Sequence, residues 1–411
     1  MTLPSTFAGA NCPSGHAFVP RCHYGEYLEA TMAVAQAQAA PGVTLETIRA
    51  EIHDVEPARP MVGEHRFLLH RSAQPSIEAA EVILAMGNFL PGKPAAPTSA
   101  DWGAGDLIAD PWASGALAGI EADADVVLLG SGLTSCDVAL QLLDQGHTGK
   151  LTMLSRRGLL PQPHRVQELA PAASLVPGDF MKGLTGAREQ MRAVRKLVRV
   201  AMDIGYDWRD VVGGLRPITP RLWQQLTTEG RRQFVRHIGP YWDTHRHCAA
   251  PAIFSRIDQA LQSGRIGLRC GRLLEVAGAA GQGLRIAWRA RGQSARQWLA
   301  AQVVVNCTGP SNDLKACEDP LICNLRRAGM VRLDAMGMGL EVSSDYHLLD
   351  AGGDLVHGLR YVGPLLKAQH WEATAVPELR LHAKSLVTAM LSGRAVARQA
   401  EYEHWGLQPA G

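Results

Sequence analysis

Two clusters in this sequence have residue types and spacing suited to chemistry. Gly130-Ser131-Gly132-Leu133-Thr134-Ser135 directly follows the apolar run Val126-Val127-Leu128-Leu129, and Ser155-Arg156-Arg157 closes the next apolar run, Leu151 to Leu154. A Gly-x-Gly-x-x-Ser turn between a strand and a helix suits a diphosphate. The first glycine permits the sharp turn, the second lets backbone approach the ligand, and the helix N-terminus supplies positive charge. Ser135 stands where the fingerprint has its third glycine and is small enough to keep helix and strand close. Gly130, Ser131, Gly132, Thr134 and Ser135 are therefore candidate cofactor-binding residues. At the end of the second strand an NAD site wants an acidic side chain for the ribose diol. Two guanidiniums and a hydroxyl suit a 2′-phosphate instead, so Arg156 and Arg157 point to NADP. The competing readings are a purely structural βα turn and a solvent-facing basic pair.

Other clusters carry less. His245 and His247, with His237 nearby, do not form a metal set, because positions i and i+2 diverge on a helix and face opposite sides of a strand. No metal is expected. Ser131 lies in Gly-Ser-Gly rather than Gly-x-Ser-x-Gly, which argues against a hydrolase nucleophile. Arg188, Arg192, Arg195, Lys196 and Arg199 alternate with Met191, Val194, Leu197, Val198 and Ala201 at helical spacing, predicting an amphipathic helix with one solvated cationic face. Trp208, Trp223, Phe234, Tyr241 and Trp242 read as the core of a helical insertion that walls a substrate pocket. No residue is singled out as a catalytic acid or base.

These residues need elements to hold them. Strand, glycine turn, helix ending near Gly146 and second strand give βαβ order. Two further β-branched runs, Glu81 to Asn88 and Val303 to Pro310, also end in glycine-containing turns, at Gly87-Asn88 and Thr308-Gly309. A length of 411 residues fits two to three domains. Apolar residues at 46% and charged residues at 19% exclude a disordered or coiled-coil chain. Forty-one basic against 39 acidic residues leave no bulk field to draw nucleic acid or anionic lipid. No apolar run reaches the ~18–20 residues of a membrane span, and the first residues lack the pattern of a secretory signal. Eight scattered cysteines with no Cys-x-x-Cys pair suggest reduced thiols and a cytoplasmic setting.

The quoted turns, with Phe18 to Leu28, Leu154 to Pro161, Trp242 to His247, Cys307 to Pro310 and Trp371 to Arg380, carry a resemblance along nearly the whole chain. The sequence resembles the FAD/NAD(P)-binding flavoprotein family of urate hydroxylase-like and aspartate N-monooxygenase-like proteins. These are related to the ornithine and lysine N-hydroxylases and to the glutathione-reductase-type two-dinucleotide fold. The resemblance implies an α/β chain with two Rossmann-like domains, one inserted in the other. Residues 1–118 and 300–411 would form the FAD-binding domain. Residues 119–299 would form the NADP-binding domain, with a helical insertion at about 166–265. Arg21 and Tyr24 would lie on the FAD side, Gly87, Asn88, Thr308 and Gly309 would touch the cofactor, and Thr374 and Ala375 would begin a helix facing the flavin.

One departure stands out. Only 17 residues precede Phe18, too few for the glycine-rich βαβ unit of about 30 residues that opens members of this family. Met86 also stands where the family usually has Thr. The first domain is therefore expected to be incomplete, as a truncated fragment or a natural remnant, with weak FAD binding by this chain alone. The implied activity is that of an FAD- and NADPH-dependent oxidoreductase of monooxygenase type, hydroxylating a small molecule. The alternative is a non-catalytic NADP-binding remnant or partner-dependent subunit.

Overall fold

The computed structural model describes residues 18–58, 66–92, 107–165, 175–278 and 283–404, with side chains of the last helix described as far as residue 392. Helix α1 (Arg21–Ala37) leads to strands β1 (Ile52–Pro57), β2 (Phe67–Arg71), β3 (Gln74–Ala79) and β4 (Val82–Leu84). Then come β5 (Leu107–Ile108), β6 (Val126–Leu129), α2 (Leu133–Asp144) and β7 (Leu151–Ser155). Helices α3 (Ala187–Asp203), α4 (Trp208–Leu215), α5 (Thr219–Gln225), α6 (Thr228–Gln233), α7 (Gly239–Arg246) and α8 (Pro251–Gln262) separate β7 from β8 (Ile266–Gly278). The chain continues through β9 (Leu284–Ala290), β10 (Arg296–Ala301), β11 (Val303–Asn306), α9 (Pro320–Arg327), β12 (His347–Leu349), β13 (Leu355–Tyr361) and α10 (Val376–His404).

The apolar run at 126–129 becomes a strand because both its faces are covered, the condition under which strands lose alternation. Val126 and Leu128 pack on Val138, Ala139 and Leu142 of α2 and on Ile257 and Ala260 of α8. Val127 and Leu129 face the other way, onto Val276, Leu284, Ile286 and Trp288 of the β8–β9 ribbon. Each such side chain contributes roughly 1.5–3 kcal/mol on burial. The seven-stranded sheet runs β10-β9-β8-β7-β6-β11-β5, with β5, β11, β6, β7 and the first half of β8 parallel. β8 then exchanges partners: Ile266 to Cys270 pair with β7, and Gly271 to Gly278 pair antiparallel with β9. α2 ends as its sequence suggests, with Gly146 N–H donating to Leu143 O (3.1 Å) and His147 N–H to Leu142 O (3.0 Å).

The central sheet extends past both boundaries read from the sequence. β5 and β11, assigned there to segments 1–118 and 300–411, are hydrogen-bonded to each other, and β11 pairs with β6 from Val303 to Asn306. α8, read as part of the helical insertion, packs on the sheet as its crossover helix. Strands β1, β2 and β4 from the N-terminal side share one core with α9, β12, β13 and α10 from the C-terminal side. Val55, Phe67, Val82 and Leu84 meet Leu325, Leu340, Leu359, Tyr361 and Leu386 around the β1-β2-β3 and β12-β13-β4 sheets. α3 buries Ala201 and packs Val194, Leu197 and Val198 inward, the face its spacing predicts. Among the described residues no helix is long and apolar enough to cross a membrane.

The insertion is tied to the C-terminal segment by charge. Glu372 is 2% exposed, a burial that a carboxylate tolerates only when paired. Its Oε1 accepts from Trp242 Nε1 (2.8 Å), and its Oε2 lies 2.8 Å from Arg246 Nε, close enough for an ion pair though not aligned as a hydrogen bond. Glu378 extends the network with a two-pronged contact to Arg216, one arm at 2.6 Å. Removing the carboxylate would strand Arg246 in the interior. Glu372→Ala is therefore expected to cost about 3–5 kcal/mol in urea unfolding, with Glu372→Gln, which keeps the Trp242 bond, losing less. Equal stability of Glu372→Ala and wild type would show that the pair carries no weight.

Candidate functional site

The turn after β6 is shaped by close approach. Gly130 has φ +127°, and a Cβ there would lie 2.4 Å from the Cys307 carbonyl oxygen, at the exit of β11. Only glycine fits both demands. Its N–H donates to Leu154 O (2.9 Å), which anchors the turn to β7. Beneath it the Ser135 side chain is fully buried beside the Cys307 thiol, which burial pushes up to about 12, so this layer is neutral packing. A hydroxyl chain stiffens the turn from the other side. Gly158 N–H donates to Ser155 Oγ (3.0 Å), Ser155 Oγ and Ser131 Oγ are 2.7 Å apart, and Ser131 donates to Leu159 O (2.6 Å).

Gly132 and the start of α2 are different. A Cβ at Gly132 would meet nothing within 4 Å. No side chain caps α2, so its first N–H groups face open space with the positive end of the helix behind them. That space is a cleft of about 800 Å³, within the range of cofactor sites. Gly130, Ser131, Gly132, Leu133, Thr134 and Arg156 line it, with Thr308 and Gly309 from the β11 exit and Asp243, Thr244 and His247 from the insertion.

The two candidate arginines part company. Arg156 lines the cleft, whereas Arg157 turns toward the insertion, donating to Arg236 O (2.5 Å) and lying over the Tyr241 ring (5.9 Å). The second guanidinium of the cleft is Arg272, on β8 beyond its last pairing with β7. Cys270, two residues earlier, packs its thiol 3.7 Å from Arg156 O, which sets both arginines at neighbouring carboxyl ends of parallel strands. Among the described residues neither forms an ion pair, and Arg272 stands across the ladder from Arg289, a like-charge pairing that favours an anion nearby. Sequence reading missed Arg272 because it became adjacent to Arg156 only through β7–β8 pairing.

The remaining candidates lie outside the cleft lining. Gly87 and Asn88 begin a loop that docks on the β11 exit, with Asn306 Nδ2 donating to Gly92 O (3.0 Å) and Ser311 N–H to Leu90 O (3.2 Å). Asn306 also accepts from Thr308 Oγ1 (2.7 Å), so the two glycine-containing turns sit side by side. Arg21 is 3.8 Å from Asp137 on α2, with its own side chain largely exposed. Tyr24 stacks on Tyr27 of its own helix. Thr374 lies in the turn before α10, and Ala375 O accepts from Leu379 N–H (2.9 Å) as the helix begins. Between the insertion and the C-terminal segment, Trp223, Phe234 and Trp242 enclose with Trp371 a small apolar cavity of about 60 Å³ with no charged lining residue.

Two glycine substitutions separate shape from binding. Gly130→Ala should lower the thermal midpoint, since it forces both a strained φ and a clash with the Cys307 carbonyl. Gly132→Ala should melt with wild type yet fill the space above the α2 N-terminus. Matching melting curves for Gly130→Ala and wild type would contradict this account of the turn.

Residues 9–89 match the model of a family described as FAD-NAD(P)-binding. No curated protein sequence matches this one at a significant level. Among solved structures, the chain is similar to ornithine N-hydroxylase from Kutzneria sp. 744, in a complex with reduced FAD, NADP+ and L-ornithine. The identity is 14% and the TM-score 0.58, covering 93% of this chain and 79% of that one. L-lysine 6-monooxygenase from Pseudomonas syringae matches at 16% identity and TM-score 0.55, covering 93% and 78%. Ornithine hydroxylase from Pseudomonas aeruginosa matches at 15% and 0.54, covering 90% and 75%. At these identities the likeness concerns architecture: the chain has the α/β fold of the two-dinucleotide flavoproteins.

Proposed function

We propose that this chain is an NADPH-dependent oxidoreductase of flavoprotein type acting on a small molecule. The observation that carries the reading is the pair of guanidiniums, Arg156 and Arg272, which form no ion pair among the described residues and line the cleft at the open N-terminus of α2. A dinucleotide's diphosphate would lie over Gly132 and the first N–H groups of α2, and a 2′-phosphate would lie between the arginines. Ser131 and Ser155 keep the turn rigid, and the Thr308-Gly309 loop closes one side against water. When bound, the nicotinamide would supply a hydride to an acceptor held beside this cleft. The family match over residues 9–89 and the hydroxylase neighbours support the flavin side of this reading.

A second reading is kept by a specific observation. Among the described residues one glycine turn at a strand's carboxyl end opens an α-helix, and it belongs to the central sheet; Gly363, after β13, opens only the short 3-10 turn Pro364–Ala368. The β12-β13-β4 sheet pairs β4 on one side only among the described residues, leaving Ile83 41% exposed. The described residues thus do not supply a diphosphate cradle for FAD, and no step is assigned through it. A chain that binds NADP and depends on a partner for its flavin fits this arrangement.

The nucleotide assignment is tested by titrating NADPH and NADH against wild type and the Arg156→Ala, Arg272→Ala and Arg157→Ala variants. The first two should each weaken NADPH roughly ten- to hundred-fold and leave NADH little changed, as expected for loss of charged hydrogen bonds. Arg157→Ala should spare the preference and loosen the insertion instead. Loss of NADPH and NADH to the same extent would remove the 2′-phosphate site. Flavin absorbance of the purified chain, and NADPH oxidation with added FAD, then divide the two readings.

A further inference from the structure

Helix α7 and its C-cap residue His247 present three side-chain pairs, each four residues apart. Trp242 and Arg246 hold Glu372. Tyr241 lies under Arg157, while its carbonyl meets His245 Nδ1 (2.8 Å). Asp243 and His247 line the same cleft as Arg156 and Arg272. This last pair has no part in the nucleotide contacts proposed above, yet it sits in the wall of the same space.

Its electrostatic surroundings are closely balanced. Glu372 faces the pair from the turn before α10, Lys367 from the segment at 364–368, and Arg246 from α7 itself. With His247 neutral, two carboxylates stand against two fixed cations. Burial lifts the Asp243 carboxyl above its ordinary range, partly opposed by Lys367, and burial holds the His247 imidazole below its own. Both carboxylates favour a cation at His247, while desolvation first, and then the charges of Arg246 and Lys367, withhold the proton.

We propose that Asp243 and His247 are a proton-responsive pair in the cleft wall, and that a polyanionic nucleotide arriving there draws a proton onto His247. The inference rests on the nucleotide reading above. The bound phosphates add negative charge to the cleft that His247 shares with Arg156 and Arg272, and a proton on His247 offsets the part the arginines leave. Binding then raises the imidazole's proton affinity, so nucleotide affinity falls as pH rises through its value in the complex. One proton sets the limit of that slope at about tenfold per pH unit.

The test is calorimetric titration of NADP+ near neutral pH in two buffers of different ionisation enthalpy, for wild type and His247→Asn. Wild type should take up a substantial fraction of one proton per nucleotide, and His247→Asn should lose that uptake. Any ionisation of the 2′-phosphate itself is common to both proteins and drops out of the difference. Binding without proton uptake, or equal uptake in His247→Asn, overturns the pair and leaves the nucleotide site standing. No binding of NADP+ to wild type overturns both. Should His247→Asn fail to fold, the wild-type affinity measured from slightly acid to slightly alkaline pH decides, and a flat profile overturns the proposal.

Discussion

The buried carboxylate of Glu372 is where the parts of this molecule are held to one another. A charge so withdrawn from water has to be met by a donor and a cation, and α7 supplies both from one face, Trp242 and Arg246. Satisfying Glu372 fixes the rotation of α7 about its own axis. Once that rotation is set, Tyr241 must fall under Arg157 and Asp243 with His247 must fall in the cleft. A single electrostatic requirement in the C-terminal segment thereby decides which side chains the insertion shows to the glycine turn.

The cleft is correspondingly two-faced. One wall is cationic by construction: the uncapped end of α2, Arg156 and Arg272. Another part of its lining is amphoteric, with the carboxyl of Asp243 on α7 and the imidazole of His247 at its C-cap. The backbone at Gly130 is locked by its N–H bond to Leu154 and by its approach to Cys307, so the distance across the floor is set by strand pairing rather than by side chains.

What the sequence disclosed and what it hid follow from range. The β6 turn, α2 and the end of α2 at Gly146 were legible because a bounded apolar run, paired glycines and a C′ glycine act within a few residues. The amphipathic α3 was legible from its period. Which of two adjacent arginines would enter the cleft was not, since Arg157 answers to Tyr241 and Arg236, some 80 residues away. Arg272 was hidden by the insertion that separates β7 from its sheet neighbour. The Val303 to Asn306 run looks the same whichever sheet receives it, and only the ladder to Val126–Leu129 decides. The Trp242 to His247 and Trp371 to Arg380 stretches were both visible as motifs, but not the contact between them.

The helices between β7 and α8 leave the sheet at its carboxyl edge and come back by way of a crossover that packs independently, through Ile257 and Ala260. Strand order and spacing are thus indifferent to what is looped out there. Such a graft point lets natural variation rework the roof of the chamber, in size or in polarity, while the floor is inherited unchanged. Molecules built on this plan can diverge in what they admit without renegotiating how they fold.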